Sequence, residues 1–119
     1  MSDNLVELNR SPIEVPWLVN SADDWSETFT VKQAGVPVDV SSWTFGGTVV
    51  KRRNDATLIA PIQWDMTGAA LGVVRFYVDY PDTVIARGRY WYELDVDNGR
   101  RQAFQAGLVH VGFDHSELV

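Results

Sequence analysis

Apolar and polar residues alternate with a period of two along most of this chain, most clearly from Gly88 to Asp97. Tyr90, Tyr92, Leu94 and Val96 fall on one side of that run, and Trp91, Glu93, Asp95 and Asp97 on the other. This is the pattern of a strand with one face on a core. Asn98-Gly99 follows, a dipeptide that tolerates the positive φ angles of a two-residue type I′ loop, and it predicts a hairpin with the segment ending at Val111. Upstream, the alternation recurs in short stretches. Ile13, Val15, Trp17 and Val19 alternate while Pro12 and Pro16 interrupt, which suits an edge strand because proline donates nothing to a ladder. Trp25, Glu27, Phe29 and Val31 mark a second strand. Trp43, Phe45, Gly47 and Val49 share one face of a third, running from Trp43 to Arg53. Leu58 to Trp64 is a fourth, with Pro61 placing it at an edge or a bulge. In a fifth, Val74, Phe76 and Val78 alternate with Val73, Arg75 and Tyr77.

Turn chemistry separates these stretches at Asn20-Ser-Ala-Asp-Asp24, at Ala34-Gly35-Val36-Pro37 and at Asn54-Asp55. The segment from Asp65 to Gly72 reads as a loop or one helical turn. Pro81-Asp82-Thr83-Val84 reads as a single helical turn, since proline suits the first helical position. Gly46-Gly47 inside the third strand marks a bulge or close backbone packing. No long segment has period 3.6, so the pattern predicts an all-β fold, a single antiparallel β-sandwich of about seven strands. Residues 1–11 form an arm or extra edge strand, 12–113 the sandwich and 114–119 a tail. The facing of Phe104 stays open. A strict two-residue loop pairs Tyr92 with Gln105 and turns Phe104 outward, whereas a one-residue bulge turns it inward.

The length of 119 residues suffices for one core without staples, and the composition is ordinary for a globular chain. A formal net charge of −6 argues against a general nucleic-acid binder. The absence of cysteine excludes a disulfide framework, a thiol nucleophile and a thiolate metal site. The N-terminus lacks the basic and apolar regions of a signal peptide, and no apolar run is long enough to span a bilayer, so no membrane partner is expected.

The chemistry of catalysis is hard to place. His110 and His115 are the only histidines, there is no Gly-x-Ser-x-Gly or His-Glu-x-x-His, and His110 is expected to face outward from the last strand. Asp95-Val96-Asp97-Asn98-Gly99 fails as a calcium loop, because its glycine falls one position early and Ala106 stands where a bidentate glutamate is needed. Scattered carboxylates (Asp39, Asp55, Asp65, Asp79, Glu93, Asp95) nominate no acid–base pair. The expectation is no catalytic residue, no cofactor and no metal site. Basic clusters at Lys51-Arg52-Arg53 and Arg100-Arg101 lie at strand ends, where charge discourages edge-to-edge aggregation. Of five tryptophans, Trp17, Trp43 and Trp25 fall on apolar faces, whereas Trp91 stands among charged residues and Trp64 precedes a loop. Exposed aromatics and arginines anchor interfaces. The candidate interface residues are therefore Trp64, Tyr77, Trp91, Arg100 and Arg101. An alternative use of Trp91, Trp64 and Tyr77 is a stacking platform for carbohydrate.

One ordered set of segments carries a resemblance. Val38-Asp39-Val40-Ser41-Ser42 leads into Trp43-Thr44-Phe45-Gly46-Gly47 and Lys51-Arg52. Gly72-Val73-Val74-Arg75-Phe76, Asp82-Thr83 and Gly88-Arg89-Tyr90-Trp91-Tyr92-Glu93-Leu94 come next, then Asp97-Asn98-Gly99 and Ala106-Gly107-Leu108-Val109-His110-Val111. From Trp25 to Val111 this resembles the small immunoglobulin-like β-sandwich domains of tailed-phage virion proteins, including N-terminal domains of baseplate and tail-fibre adaptors. The resemblance implies a non-enzymatic virion component, assembled in the host cytoplasm. It would hold other virion structural proteins on a tail, baseplate, neck or capsid surface, as a homo-oligomer within the particle. Residues 1–12 would then add a strand to a neighbour's open sheet edge.

Overall fold

The computed structural model describes residues 4–6 and 13–112. Among these, eleven strand segments follow one another as β1 (Asn4–Val6), β2 (Ile13–Glu14), β3 (Trp17–Val19), β4 (Trp25–Gln33), β5 (Val36–Pro37), β6 (Thr44–Arg52), β7 (Asp55–Pro61), β8 (Gln63–Asp65), β9 (Val73–Val78), β10 (Gly88–Asp97) and β11 (Arg101–Val111). A single 3-10 turn at Ala69–Leu71 precedes β9. One sheet has the order β1-β4-β9-β8, with β5 paired to β4. The other has the order β2-β11-β10-β6-β7, with β3 also on β11. Taking β1, β4, β6, β7, β8, β9, β10 and β11 as strands A, B, C, C′, D, E, F and G yields ABED facing GFCC′, the order of immunoglobulin-type sandwiches.

The segments outnumber the expected seven strands for local reasons. Pro16 splits the first strand into β2 and β3, both on the edge beside β11. The stretch expected as one fourth strand changes sheets. Its first part, β7, pairs with β6, and after Pro61 the chain crosses at buried Ile62, whose N–H donates to the Gly47 carbonyl (3.1 Å), to run as β8 beside β9. Nor is the sandwich purely antiparallel, because β1 runs parallel to β4, and β2 and β3 run parallel to β11. Residues 4–6 thus pair with β4 of their own chain rather than a neighbour's edge. The rest of the expected arm and the tail 114–119 lie outside the described residues.

The inner faces carry the predicted alternation. Val74, Phe76 and Val78 are buried from β9, and Tyr92, Leu94 and Val96 from β10. Burying each such side chain contributes about 1.5–3 kcal/mol. Aromatic rings join the layers. Trp17 lies edge-on to Trp25 (6.0 Å), Phe76 (5.2 Å) and Tyr92 (5.5 Å), and Phe29 meets Phe45 (6.0 Å) and Phe104 (5.4 Å).

The last hairpin differs from the expected type I′ form. Asp97 pairs with Arg101, so the loop has three residues, Asn98-Gly99-Arg100, and of these only Gly99 has positive φ (105°). The Asp97 carboxylate accepts the Gly99 N–H (3.0 Å), and this side-chain-to-backbone turn displaces the tighter loop. A bulge between Leu94 and Asp95 on one strand and Gln105 and Ala103 on the other leaves Phe104 as the extra residue. Phe104 consequently turns inward and is 7% exposed. The two-residue loop with positive φ at both positions occurs instead at Ala34-Gly35 (52° and 78°), between paired Gln33 and Val36.

Two smaller expectations also change, and one pair of alternatives is decided. The turn after β6 is Arg53-Asn54, with Asp55 already paired to Arg52. Residues 81–84 form a turn rather than a helix, closed by Val84 N–H donating to the Pro81 carbonyl (3.0 Å), and the Tyr80–Pro81 bond is cis. Gly46-Gly47 is close packing rather than a bulge, since a Cβ on Gly47 would stand 2.7 Å from the Glu93 carbonyl oxygen.

Candidate functional site

On β10 the residues between the core positions point to the outer surface of the GFCC′ sheet. Trp91 is one of them, flanked across the ladders by Val50 of β6 and Leu108 of β11. An indole there would ordinarily be open to water, yet Trp91 is only 8% exposed. Arg53, in the turn after β6, folds back over it with the guanidinium carbon 5.2 Å from the ring centre. Its Nη1 approaches Glu14 Oε1 of β2 at 3.8 Å. A cation over an indole face is favourable, whereas an ion pair this long and this exposed adds little. The Trp91 Nε1–H is buried and has no acceptor.

This Arg53 strap divides a concave surface. On one side lies a groove of about 510 Å³, with Trp91, Gly107 and Leu108 along its floor, Val15 and Pro16 as one wall, and Arg52, Arg53, Arg89 and Glu14 at its rim. On the other side two depressions of about 240 and 260 Å³ extend past Glu93 to Asp95 and Arg101. There the Arg101 Nη2 donates to Asp95 Oδ2 at 3.3 Å. Leu108 is 44% exposed on the groove floor.

The Val15–Pro16 wall is held by two hydrogen bonds. Val15 N–H donates to the Ala106 carbonyl (2.9 Å), and the Tyr92 hydroxyl donates to the Val15 carbonyl (2.7 Å). Gly107 lets the chain come that close, since a Cβ there would collide with the Val15 carbonyl. Behind the wall a smaller cavity of about 210 Å³ opens between the sheets beside Glu27, Tyr92 and Gln105. Gln105 Nε2 donates to the Tyr92 oxygen (3.0 Å), while its Oε1 is buried without a donor. Burial pushes the Tyr92 hydroxyl up to about 12, with the Gln105 hydrogen bond opposing and the Glu27 charge adding to the rise. Burial likewise raises the Glu27 carboxyl.

The five residues expected at an interface do not converge. Trp64 lies on the inner side of β8, half-buried and stacked on Phe45 at 5.0 Å, so it serves the core. Tyr77 lies on the outer face of the ABED sheet, with the Arg75 guanidinium 4.5 Å from its ring. Arg100 is exposed in the last hairpin loop. Only Trp91 and Arg101 share a face, and a joint stacking platform of Trp91, Trp64 and Tyr77 is not formed. His110 faces outward as expected but is 7% exposed, paired across the ladder with Arg89. Burial and then the Arg89 charge lower its pKa. His115 lies outside the described residues.

Three of the scattered carboxylates are engaged by residues two positions on. Asp39 accepts from the Ser41 hydroxyl and N–H, Asp55 from those of Thr57, and Asp65 from those of Thr67. These bonds favour the charged form and hold all three carboxyls below the usual range. The rim is only partly legible in the sequence. Arg89 and Leu108 were within reach, because they fall on the outer face with Trp91 by alternation. Glu14 and Arg53 were not, because only the tertiary fold brings a turn residue onto an edge strand.

No family profile matches the chain, and no curated protein matches it in sequence. Among solved structures it is similar to the N-terminal domain of phage TP901-1 ORF48, with a TM-score of 0.51 and 13% identity over 90% of this chain and 93% of that one. At that identity the shared property is the fold, and the similar fold is that of a phage protein's domain.

Proposed function

We propose that the chain is a non-enzymatic structural component of a tailed-phage virion that docks onto and joins other virion proteins. The supporting observation is the fold it shares with the phage domain over nearly the whole of both chains. The concave outer face of the GFCC′ sheet is the natural docking surface, because it combines an apolar floor with a charged rim, as interfaces do. In this reading several copies assemble within the particle, at a tail, baseplate, neck or capsid surface, without nucleic acid, membrane or cofactor.

Quantitative mass spectrometry of gradient-purified particles tests this. A fixed ratio to the major capsid and tail proteins is the expected result. About six or twelve copies would indicate a ring, the symmetries that the resemblance to tailed-phage virion domains implies, and hundreds would indicate decoration. Absence from the particles overturns the proposal.

A further inference from the structure

We infer that the groove beside Arg53 and Trp91 docks an extended acidic segment of a partner protein. An apolar side chain of that segment would rest on Trp91 and Leu108, and its carboxylates would reach Arg52 and Arg53. The inference rests on the docking role proposed above and names its surface and the chemistry of its partner.

Charge distribution carries it. The chain as a whole has a net charge of −6, yet among the described residues the groove sets Arg52 and Arg53, with Arg89 behind them, against Glu14 alone. A cationic rim on an acidic protein is complementary to carboxylates. Arginine suits them because its planar fork gives two parallel hydrogen bonds to one carboxylate. The same overall charge disfavours a nucleic acid, whose many phosphates would meet repulsion outside this one groove. An acidic peptide segment is short enough to stay within the rim, and repulsion from the rest of the chain is screened beyond about 10 Å at 0.1 M salt.

The groove floor is apolar and suits a side chain rather than a bare anion. Leu108 is 44% exposed beside Trp91, and the cavity volume of about 510 Å³ lies within the range of binding clefts. The strap is easily redirected. Arg53 and Glu14 are separated by 3.8 Å with side chains 69% and 67% exposed, so an incoming carboxylate can replace Glu14 at little cost. A backbone carbonyl of the docked segment would supply an acceptor for the Trp91 Nε1–H, a donor buried without one.

The probe is acetyl-Glu-Glu-Leu-Glu-Glu-amide, with the Gln-Gln-Leu-Gln-Gln peptide as its uncharged isostere and inorganic phosphate as a bare anion. Each is titrated into the ¹⁵N-labelled full chain at 0.1 M salt, following the indole N–H resonances, with Trp91 assigned through Trp91→Phe. The expected result is a saturable shift of the Trp91 resonance by the acidic peptide only. Affinity should fall about tenfold in Arg52→Glu and in Arg53→Glu, while Arg100→Glu, at the hairpin loop, has little effect. Four results overturn the inference: no shift with millimolar peptide, equal binding of the isostere, saturation by phosphate alone, or a shift that depends only on protein concentration. The last would make a second copy the occupant. Since the titration needs no particle, its failure is distinct from absence of the chain from virions.

Discussion

Glu27 is the residue whose position conflicts most with its chemistry. It shares the inward side of β4 with Trp25, Phe29 and Val31, and the period-two pattern already placed it there. Partial burial raises its pKa above 4.5, so the folded state holds this proton more tightly than the unfolded chain does. Stability therefore falls as pH rises from 4.5 through the raised value, and the cost is complete above it. Glu27→Gln should raise the melting temperature at neutral pH, and the gain should vanish at pH values below 4.5. A pH series of thermal melts checks this, and a gain that does not depend on pH would contradict it. Asp39, Asp55 and Asp65 act in the opposite sense, since their lowered pKa values add stability that is lost on acidification. Tyr92 offers a second test. Its hydroxyl links the Val15 carbonyl to Gln105, so Tyr92→Phe leaves buried polar groups unpaired at a cost of about 1–3 kcal/mol. Denaturant unfolding measures that cost. Hydrogen exchange should quicken first at Val15, whose amide bonds to Ala106.

At the scale of elements, alternation made the faces legible and left the partners obscure. The inward sets of β4, β9 and β10 follow from counting every second residue. The crossing at Ile62 does not, because Leu58 to Trp64 reads equally well as one strand or as two in different sheets. The last hairpin misleads for another reason. Asn98-Gly99 favours a two-residue loop, but the Asp97 side chain captures the Gly99 N–H and lengthens it, and the bulge at Phe104 adds a second offset. Such offsets depend on which aromatic fits between the sheets, a property of the packed core. The strand β1 illustrates an element whose value lies in what it covers. Its parallel pairing with Phe29, Thr30 and Val31 occupies an edge of β4, and an uncovered edge invites pairing with another chain. Deleting residues 1–11 should leave the sandwich folded but make it associate with increasing concentration. Sedimentation velocity reads this directly, and a variant that stays monomeric at all concentrations would show that β1 protects nothing.

Across the whole molecule, legibility ended where the two sheets meet and where the outer face closes over itself. Trp64 reads as a surface residue before a loop, yet it stacks on Phe45, because a chain that changes sheets carries the side chain inward with it. Trp91 reads as exposed and does face outward, yet a turn residue from another part of the chain covers it. Both outcomes require three-dimensional closure that no local pattern encodes. The same closure argues that the sheets unfold together. Trp17 on the edge strand touches rings of both layers, and Phe104 meets Phe29 across the interior and Phe45 within its own layer. Neither sheet buries its apolar face without the other, so one transition should report on both. Phe104→Ala removes a ring from this seam and should cost about 3–5 kcal/mol, the range for truncating a buried aromatic. If the layers are one unit, tryptophan fluorescence and far-ultraviolet circular dichroism will lose their midpoints in step in this variant. Two separated midpoints would mean that each sheet holds its own structure, and the aromatic seam would then be a contact between units rather than the core of one.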